Sequence, residues 1–363
     1  MVAAARHDVI LKELELRGSL QITQLAARLT VAPMTLRRDL AQLESRGLLV
    51  RVHGGAVSLA VAAQQDEAAA NRSRPHRPVA TIGMITPSAS YYFPEVIRGA
   101  SDAARELNCR LVLGVTNYSA REELRQAERL LAGGGVDALL ITPALGLTEG
   151  SALHELLVDA AIPVVVVERA VDDRSGGRLD SVRSDHSFGA TLAVRHLAEL
   201  GHRRIALAVR ESPTTPWLRE GYERALAKLG LDDGRLVWEL PTPGAGDDGA
   251  TLALQGFLDA SVAAGITGVL VLGDVDAVAL VDLAVQRGIR VPEDLAIVAY
   301  DDEIAGFASV PLTAIAPPKR ELGDAALRLC VERIRQGGGG SRAVTRLALL
   351  PTLRERESTR LRG

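Results

Sequence analysis

Arg37 and Arg38 stand side by side in a segment whose apolar residues, Leu36, Leu40 and Leu43, recur at i, i+4 and i+7. That spacing is the core stripe of an amphipathic helix. Successive helical residues turn by about 100°, so Thr35, Arg37, Arg38 and Asp39 are expected mostly outside the stripe. Guanidinium groups presented in this way pair with phosphates or fork onto the O6/N7 edge of guanine. Thr35 is placed to reach a phosphate or a base edge, and the helix N-terminus adds a positive dipole end. Two adjacent arginines on their own are more often solvated surface charge. The surrounding pattern decides between the two readings.

Other chemistries find little support. Gly244-Ala245-Gly246-Asp247-Asp248-Gly249 has the form GxGxxG between a strand-like and a helix-like segment, the spacing of a dinucleotide-binding turn. Pro241 and Pro243 interrupt the strand exit, and no acidic residue ends a following strand at the required distance of about 20 residues. The seven histidines and two cysteines form no HExxH and no Cys/His cluster, so no metal site is expected. There is no GxSxG nucleophile elbow. Cys109 and Cys330 make no disulfide framework. These residues point to a protein that is not an enzyme and needs no cofactor. The alternative is an α/β enzyme acting on a sugar or using a nicotinamide cofactor, which would show turnover.

The elements that must carry the arginines read clearly. Residues 6–57 pattern as three helices and a short hairpin. Gly18 ends the first helix, Leu25, Ala26 and Leu29 give the second its apolar side, and Pro33 suits the first turn of the third. Gly47 stops the third helix, residues 48–52 read as a strand, and Gly54-Gly55 as a turn. Arg51 and His53 flank that turn, placed to contact an adjacent groove or phosphate. Residues 1–57 carry eight Lys/Arg against five Asp/Glu, while the remainder carries 34 against 40. A basic head on an acidic body suits a chain in which only the head touches phosphate.

Residues 58–77 hold no period and read as a linker. From residue 79 short apolar runs alternate with amphipathic helices, with strands expected at 79–85, 111–115, 138–141, 163–168, 181–183, 205–209, 268–272 and 295–300. A last strand is expected near 347–350, after the loop at 337–340. Such alternation argues for an α/β fold with parallel sheets covered on both faces. Some 280 residues of it exceed one comfortable core, so two similar lobes are expected at 78–363. The start has no long apolar run, and no apolar stretch is long enough for a bilayer. A cytoplasmic protein without membrane contact is therefore expected.

The head resembles the DeoR-type helix-turn-helix. The resemblance rests on Arg6-His7-Asp8-Val9-Ile10, Leu25-Ala26, Thr35-Leu36-Arg37-Arg38-Asp39-Leu40, Leu43-Glu44, Gly47 and Arg51-Val52-His53-Gly54-Gly55-Ala56. One departure is Ala32, where the family pattern usually has Ser. Residues 79–358 resemble instead the LacI/GalR-type sensor, built like a periplasmic sugar-binding protein. The residues that carry this are Ile82-Gly83-Met84-Ile85, Tyr92-Phe93, Arg98-Gly99, Val136-Asp137-Ala138-Leu139, Ile162-Pro163-Val164-Val165, Leu200-Gly201-His202-Arg203-Arg204-Ile205-Ala206 and Gly221-Tyr222. They continue with Val291-Pro292-Glu293-Asp294-Leu295, Tyr300-Asp301-Asp302, Pro311-Leu312-Thr313 and Arg356-Glu357-Ser358.

Together the two resemblances imply a bacterial transcription regulator. They imply a winged helix-turn-helix at 1–57, a linker at 58–77 and a two-lobed sensor with three crossings. Lobe 1 is expected at about 79–182 plus 311–336, and lobe 2 at about 183–310 plus 341–359. A homodimer is expected to place two recognition helices on operator DNA. The effector, a sugar or related polyol or nucleoside, would lie between the lobes at the carboxyl ends of the strands. On that geometry Ser90, Tyr91 and Tyr92 leave the first strand, and Glu168, Asp185 and Asp301 end or follow strands, where carboxylates accept hydrogen bonds from hydroxyls. Asp274 joins them by resemblance, with Gly273 where the family has Asn. Ser90 and Tyr91 stand where the pattern has Asn-Pro. The arginine with which the family contacts its effector is here Leu218, with Trp217 and Arg219 beside it as candidates. A neutral polyol suits these departures better than a carboxylate ligand.

Overall fold

A strand that is apolar on both faces needs cover above and below. Ala80–Thr86 is such a strand: every residue but Thr81 is buried. The computed structural model describes residues 3–29, 31–45, 48–52, 54–58, 78–171, 179–231, 235–241, 247–337 and 343–360. They form two separate units, 1–77 and 78–363. Gly47, His53, nearly all of the expected linker and residues 244–246 of the GxGxxG segment lie outside the described residues.

The first unit runs α1 (Ala3–Arg17), β1 (Ser19–Gln21), α2 (Ile22–Leu29), α3 (Pro33–Ser45), β2 (Val50–Val52) and β3 (Gly55–Val57). Its strands form an antiparallel sheet in the order β1-β3-β2. Strand β1 was not expected, because three residues are too few to show a period. It explains Gly55, where a Cβ would lie 1.9 Å from the Leu20 carbonyl oxygen. Leu36, Leu40 and Leu43 are fully buried with Ile10, Leu14, Leu25 and Leu49. Asp39 corrects the expected exposed face. It is buried and takes a two-pronged bond from Arg6, at 2.8 and 3.1 Å, with His7 at 3.3 Å. Burial alone would raise its pKa, but the Arg6 hydrogen bond and charge, with His7, hold it below the ordinary value.

The second unit runs β4 (Ala80–Thr86), α4 (Phe93–Glu106), β5 (Cys109–Val115), α5 (Ala120–Ala132), β6 (Ala138–Ile141), α6 (Ala152–Val158), β7 (Val164–Val167) and β8 (Asp180–Ser184). It continues with α7 (His186–Glu199), β9 (Ile205–Arg210), α8 (Thr215–Leu229), β10 (Leu236–Leu240), α9 (Asp247–Ala263), β11 (Gly268–Val271) and α10 (Asp274–Gln286). It ends with β12 (Ala296–Tyr300), β13 (Thr313–Ala316), α11 (Lys319–Arg335), β14 (Arg346–Leu349) and β15 (Thr352–Arg354). One sheet has the order β14-β8-β7-β6-β4-β5, the other β10-β9-β11-β12-β13-β15. All pairings are parallel except β13 with β15.

These pairings move two expected boundaries. Thr313–Ala316 pairs with β12 and belongs to lobe 2, not lobe 1. Arg346–Leu349 pairs with β8 and belongs to lobe 1, not lobe 2. The chain therefore crosses between lobes after β8, after β13 and after β14. Periodicity could not assign β13, whose four residues are all buried and carry no sidedness. Helix α11 returns to lobe 1 and packs against α4. The approach is close enough that a Cβ at Gly99 would lie 1.9 Å from the Arg320 carbonyl oxygen, and one at Gly323 1.9 Å from that of Val96.

The tail closes lobe 2. The Ser358 hydroxyl donates to the Ile297 carbonyl at 2.5 Å and accepts the Thr313 N–H at 2.8 Å, fully buried. Ser358→Ala removes one donor and one acceptor from two buried backbone groups, a loss of about 1–3 kcal/mol. The urea midpoint of the sensor should fall accordingly in equilibrium unfolding. A midpoint equal to that of the unaltered chain would show that this hydroxyl is dispensable.

Candidate functional site

Two places gather functional side chains, one in each unit. In the head, Arg37 and Arg38 are exposed on α3, opposite its leucine face. Thr35 is half-buried, and its N–H takes the Ala32 carbonyl at 2.9 Å, so the backbone caps this helix where no hydroxyl stands. Arg51 is exposed but engaged, with Nε 2.6 Å from Glu44 and its N–H 3.0 Å from the same carboxylate. An exposed pair of this kind is weak and exchangeable. His53 lies outside the described residues. Met34, 55 % exposed at the start of α3, was missed. An apolar tip beside two arginines suits a thymine methyl group.

In the sensor, the sheet orders put a switch point at β4, flanked by β5 and β6, and another at β9, flanked by β10 and β11. Ligands of open α/β sheets bind beyond the carboxyl ends at such points. Positive φ also recurs after the carboxyl ends of strands, at and beyond the first switch point. Tyr91, Asn117, Tyr118, Glu168, Asp301 and Asp302 all have positive φ and all follow strand ends. Non-glycine residues tolerate this region poorly, and such strain concentrates at ligand sites.

Most of the expected carboxylates and phenols meet. The Tyr91 hydroxyl donates to Asp274 and lies 3.4 Å from Asp301. The Tyr92 hydroxyl donates to Glu168, whose other oxygen accepts the Ser184 N–H at 2.7 Å. Burial, with the charge of nearby carboxylates, raises both phenols. Trp217 carries the Arg183 guanidinium 4.7 Å above its ring. Ser90 is exposed, its hydroxyl 2.8 Å from that of Ser88.

Two candidates are placed otherwise. Asp185 caps helix α7, accepting the Phe188 N–H at 2.9 Å. Arg219 pairs with Glu239 of β10 at 2.6 Å, and no described contact links it to the phenol–carboxylate cluster. Leu218, at the family's arginine position, is a fully buried core residue.

Several participants were missed. Lys319 is buried, 2.5 Å from Glu303, donates to the Asp301 carbonyl, and lies over the Tyr92 ring at 5.1 Å. A cation in the first turn opposes the helix dipole, which is a legible signal. Arg169 is buried and donates to the Pro143 and Glu168 carbonyls at 2.8 Å each. Burial lowers its pKa. His186 is buried between the Tyr300 hydroxyl at 3.0 Å and Glu168 at 3.4 Å. Burial lowers its pKa too, against the pull of Glu168. Arg210 forms a two-pronged pair with Asp276, both contacts at 2.5 Å.

Phenols, carboxylates and a buried lysine drawn together from both lobes suit a ligand rich in hydroxyls. With an exposed-arginine helix on a separate unit, they define a ligand-responsive DNA-binding protein. The comparisons agree. The profile of the DeoR-like helix-turn-helix domain matches residues 6–61, and that of the periplasmic binding protein-like domain matches residues 194–359. The HTH-type transcriptional repressor PurR of Haemophilus influenzae is 31% identical over 287 residues, 77% of this chain and 81% of that protein. The ribose operon repressor of Escherichia coli is 32% identical over 285 residues, covering 77% and 82%. A LacI family regulator from Enterococcus faecium with bound ribose has a TM-score of 0.62 and 27% identity, covering 77% of this chain and 98% of that one. A CelR–cellobiose complex has a TM-score of 0.65 and 25% identity, covering 93% and 99%.

The chain belongs to the LacI family of transcription regulators. It is a DNA-binding regulator, not an enzyme. Among the described residues no helix is long and apolar enough to cross a membrane.

Asp301 supplies a pH test. Burial, with Asp274, Glu168 and Glu303 adding to it against Lys319, pushes its carboxyl from 3.8 up to about 7. Between those limits the folded chain binds a proton that the unfolded chain has released. The contribution of Asp301 is therefore full below pH 3.8 and is lost as pH rises toward 7. Asp301→Asn cannot ionise, so the melting temperature of the unaltered chain should fall relative to the variant between pH 4 and 7 (about the window set by that shift). Parallel pH profiles would refute it.

Proposed function

We propose that this chain is a cytoplasmic repressor that binds operator DNA as a homodimer and releases or grips it according to a polyol, in the first instance a sugar, held between its sensor lobes. The observation that carries the DNA side is a single helix. Arg37 and Arg38 stand exposed on α3, while Leu36, Leu40 and Leu43 on its other face are fully buried. Such a helix is anchored from behind and free to enter a major groove with Thr35, Met34 and both guanidinium groups leading. Arg51 joins from the wing by exchanging Glu44 for phosphate, and His53 stands beside it in the sequence. Two-fold symmetry of a dimer would be mirrored in a pseudo-palindromic operator.

On the sensor side Ser90, Tyr91, Tyr92, Glu168, Trp217, Asp274 and Asp301 are assigned to the cleft, with Lys319 and Arg169 added. Asp185 and Arg219 are withdrawn as contacts. The acceptor-rich set favours a ligand that donates hydrogen bonds. The ribose and cellobiose of the similar structures are ligands of that class.

The test is fluorescence anisotropy with duplex DNA from the region upstream of the protein's own gene. The double variant Arg37→Ala/Arg38→Ala should bind about 100-fold or more weakly. The slope of log affinity on log salt should shrink by about 2. The melting temperature of the sensor should not move. Affinity retained in the variant would remove α3 as the recognition helix.

A further inference from the structure

The Tyr91 phenol reaches across the cleft. Its loop leaves β4 of lobe 1, yet its hydroxyl donates to Asp274 and lies 3.4 Å from Asp301, both of lobe 2. Asp274 has one oxygen fully used. Its Oδ2 accepts the N–H groups of Glu303 at 2.5 Å, Ile304 at 2.5 Å and Ala305 at 3.0 Å. The remaining oxygen, Oδ1, accepts the Tyr91 hydroxyl. The ring is not a core residue, for Tyr91 is 37% exposed. Its described hydrogen bonds are made by the hydroxyl, from a backbone at φ 58°, a region that L-residues adopt uncommonly.

We propose that the Tyr91 hydroxyl is an internal occupant of the hydroxyl-binding position at Asp274, latching the ligand-free lobes together and competing with the effector for that carboxylate. The inference rests on the reading of the cleft as a polyol site. A sugar hydroxyl donating to Asp274 exchanges one O–H for another, so the acceptor adds nothing to affinity until the phenol has been displaced. Tyr91 then sets which ligands enter. Only those whose remaining contacts exceed the loss of the latch are bound. A residue that merely touches ligand predicts the opposite sign on removal of its hydroxyl.

The test compares the full-length chain with Tyr91→Phe, which keeps the ring and removes only the hydroxyl. Small-angle X-ray scattering without ligand reads the latch. Calorimetric titration with D-ribose reads the competition. The variant is expected to scatter as a more extended sensor and to bind D-ribose about three- to tenfold more tightly. Superimposable scattering curves would overturn the proposal, and so would weaker D-ribose binding by the variant, which would make Tyr91 an ordinary contact. If neither protein binds D-ribose while the variant still opens, the latch stands and D-ribose falls as an effector. The two readings therefore fail separately.

Discussion

A carboxylate with no exposed surface must be matched by hydrogen bonds, or its burial is destabilising. Asp274 is matched by three consecutive backbone N–H groups, those of residues 303–305. That match fixes a loop which otherwise holds only a single 3-10 turn, Ala305–Phe307. The same loop begins at Asp301 and includes Glu303, and these two bind the Lys319 ammonium. Lys319 opens the helix that carries the chain back to lobe 1. One buried acid is thus tied through this loop to the start of the helix that makes the second crossing.

The helices that cover the sheets come close for a reason readable in the chain. Gly99 and Gly323 let α4 and α11 touch backbone to backbone. Gly221 does the same for α8 over α7, where a Cβ would lie 2.0 Å from the Ser187 carbonyl oxygen. Arg98-Gly99 and Gly221-Tyr222 were picked out as family signatures, and their glycines serve packing. The arginine positions near them do not follow the family. Leu218 lies in the core, Arg219 pairs with Glu239, and Trp217 instead stacks under the Arg183 guanidinium.

Much of this was legible because it depends on local pattern. The leucine stripe of α3 located its exposed arginines without any tertiary information, and apolar runs located most sensor strands. What escaped depends on contacts between residues far apart in sequence. Asp39 was grouped with the exposed residues although rotation puts it on the flank of the leucine stripe, and only the fold shows Arg6 and His7 arriving from α1 to pair with it. β13 and β14 were assigned to the wrong lobes because hydrogen-bonding partners, not hydropathy, decide which sheet a short strand joins. Asp185 was legible as a carboxylate after a strand, and equally as a residue one step before a helix. The helix used it. Lys319 went unread although a lysine at a helix start is locally unfavourable, and that conflict was the signal.

The chemistry of the interlobe contacts bears on what a ligand can do. Each buried apolar cluster of the sensor lies within one lobe. The described contacts that join the lobes at the cleft are polar or cation–π, as in Tyr91 with Asp274, Lys319 with Glu303, Arg183 with Trp217, and His186 with Glu168. An apolar interface of 1,000 Å² would contribute on the order of 25 kcal/mol by area, beyond what a small effector could reverse. Polar contacts contribute about 0.5–3 kcal/mol each. Driving a two-state protein from nearly all one form to nearly all the other takes about 5.5 kcal/mol of differential binding. A sugar that forms several hydrogen bonds in one lobe arrangement and not the other lies in that range. Keeping the hydrophobic cores inside the lobes, and leaving their junction to exchangeable hydrogen bonds, is what allows a molecule of a dozen atoms to set the state of the sensor.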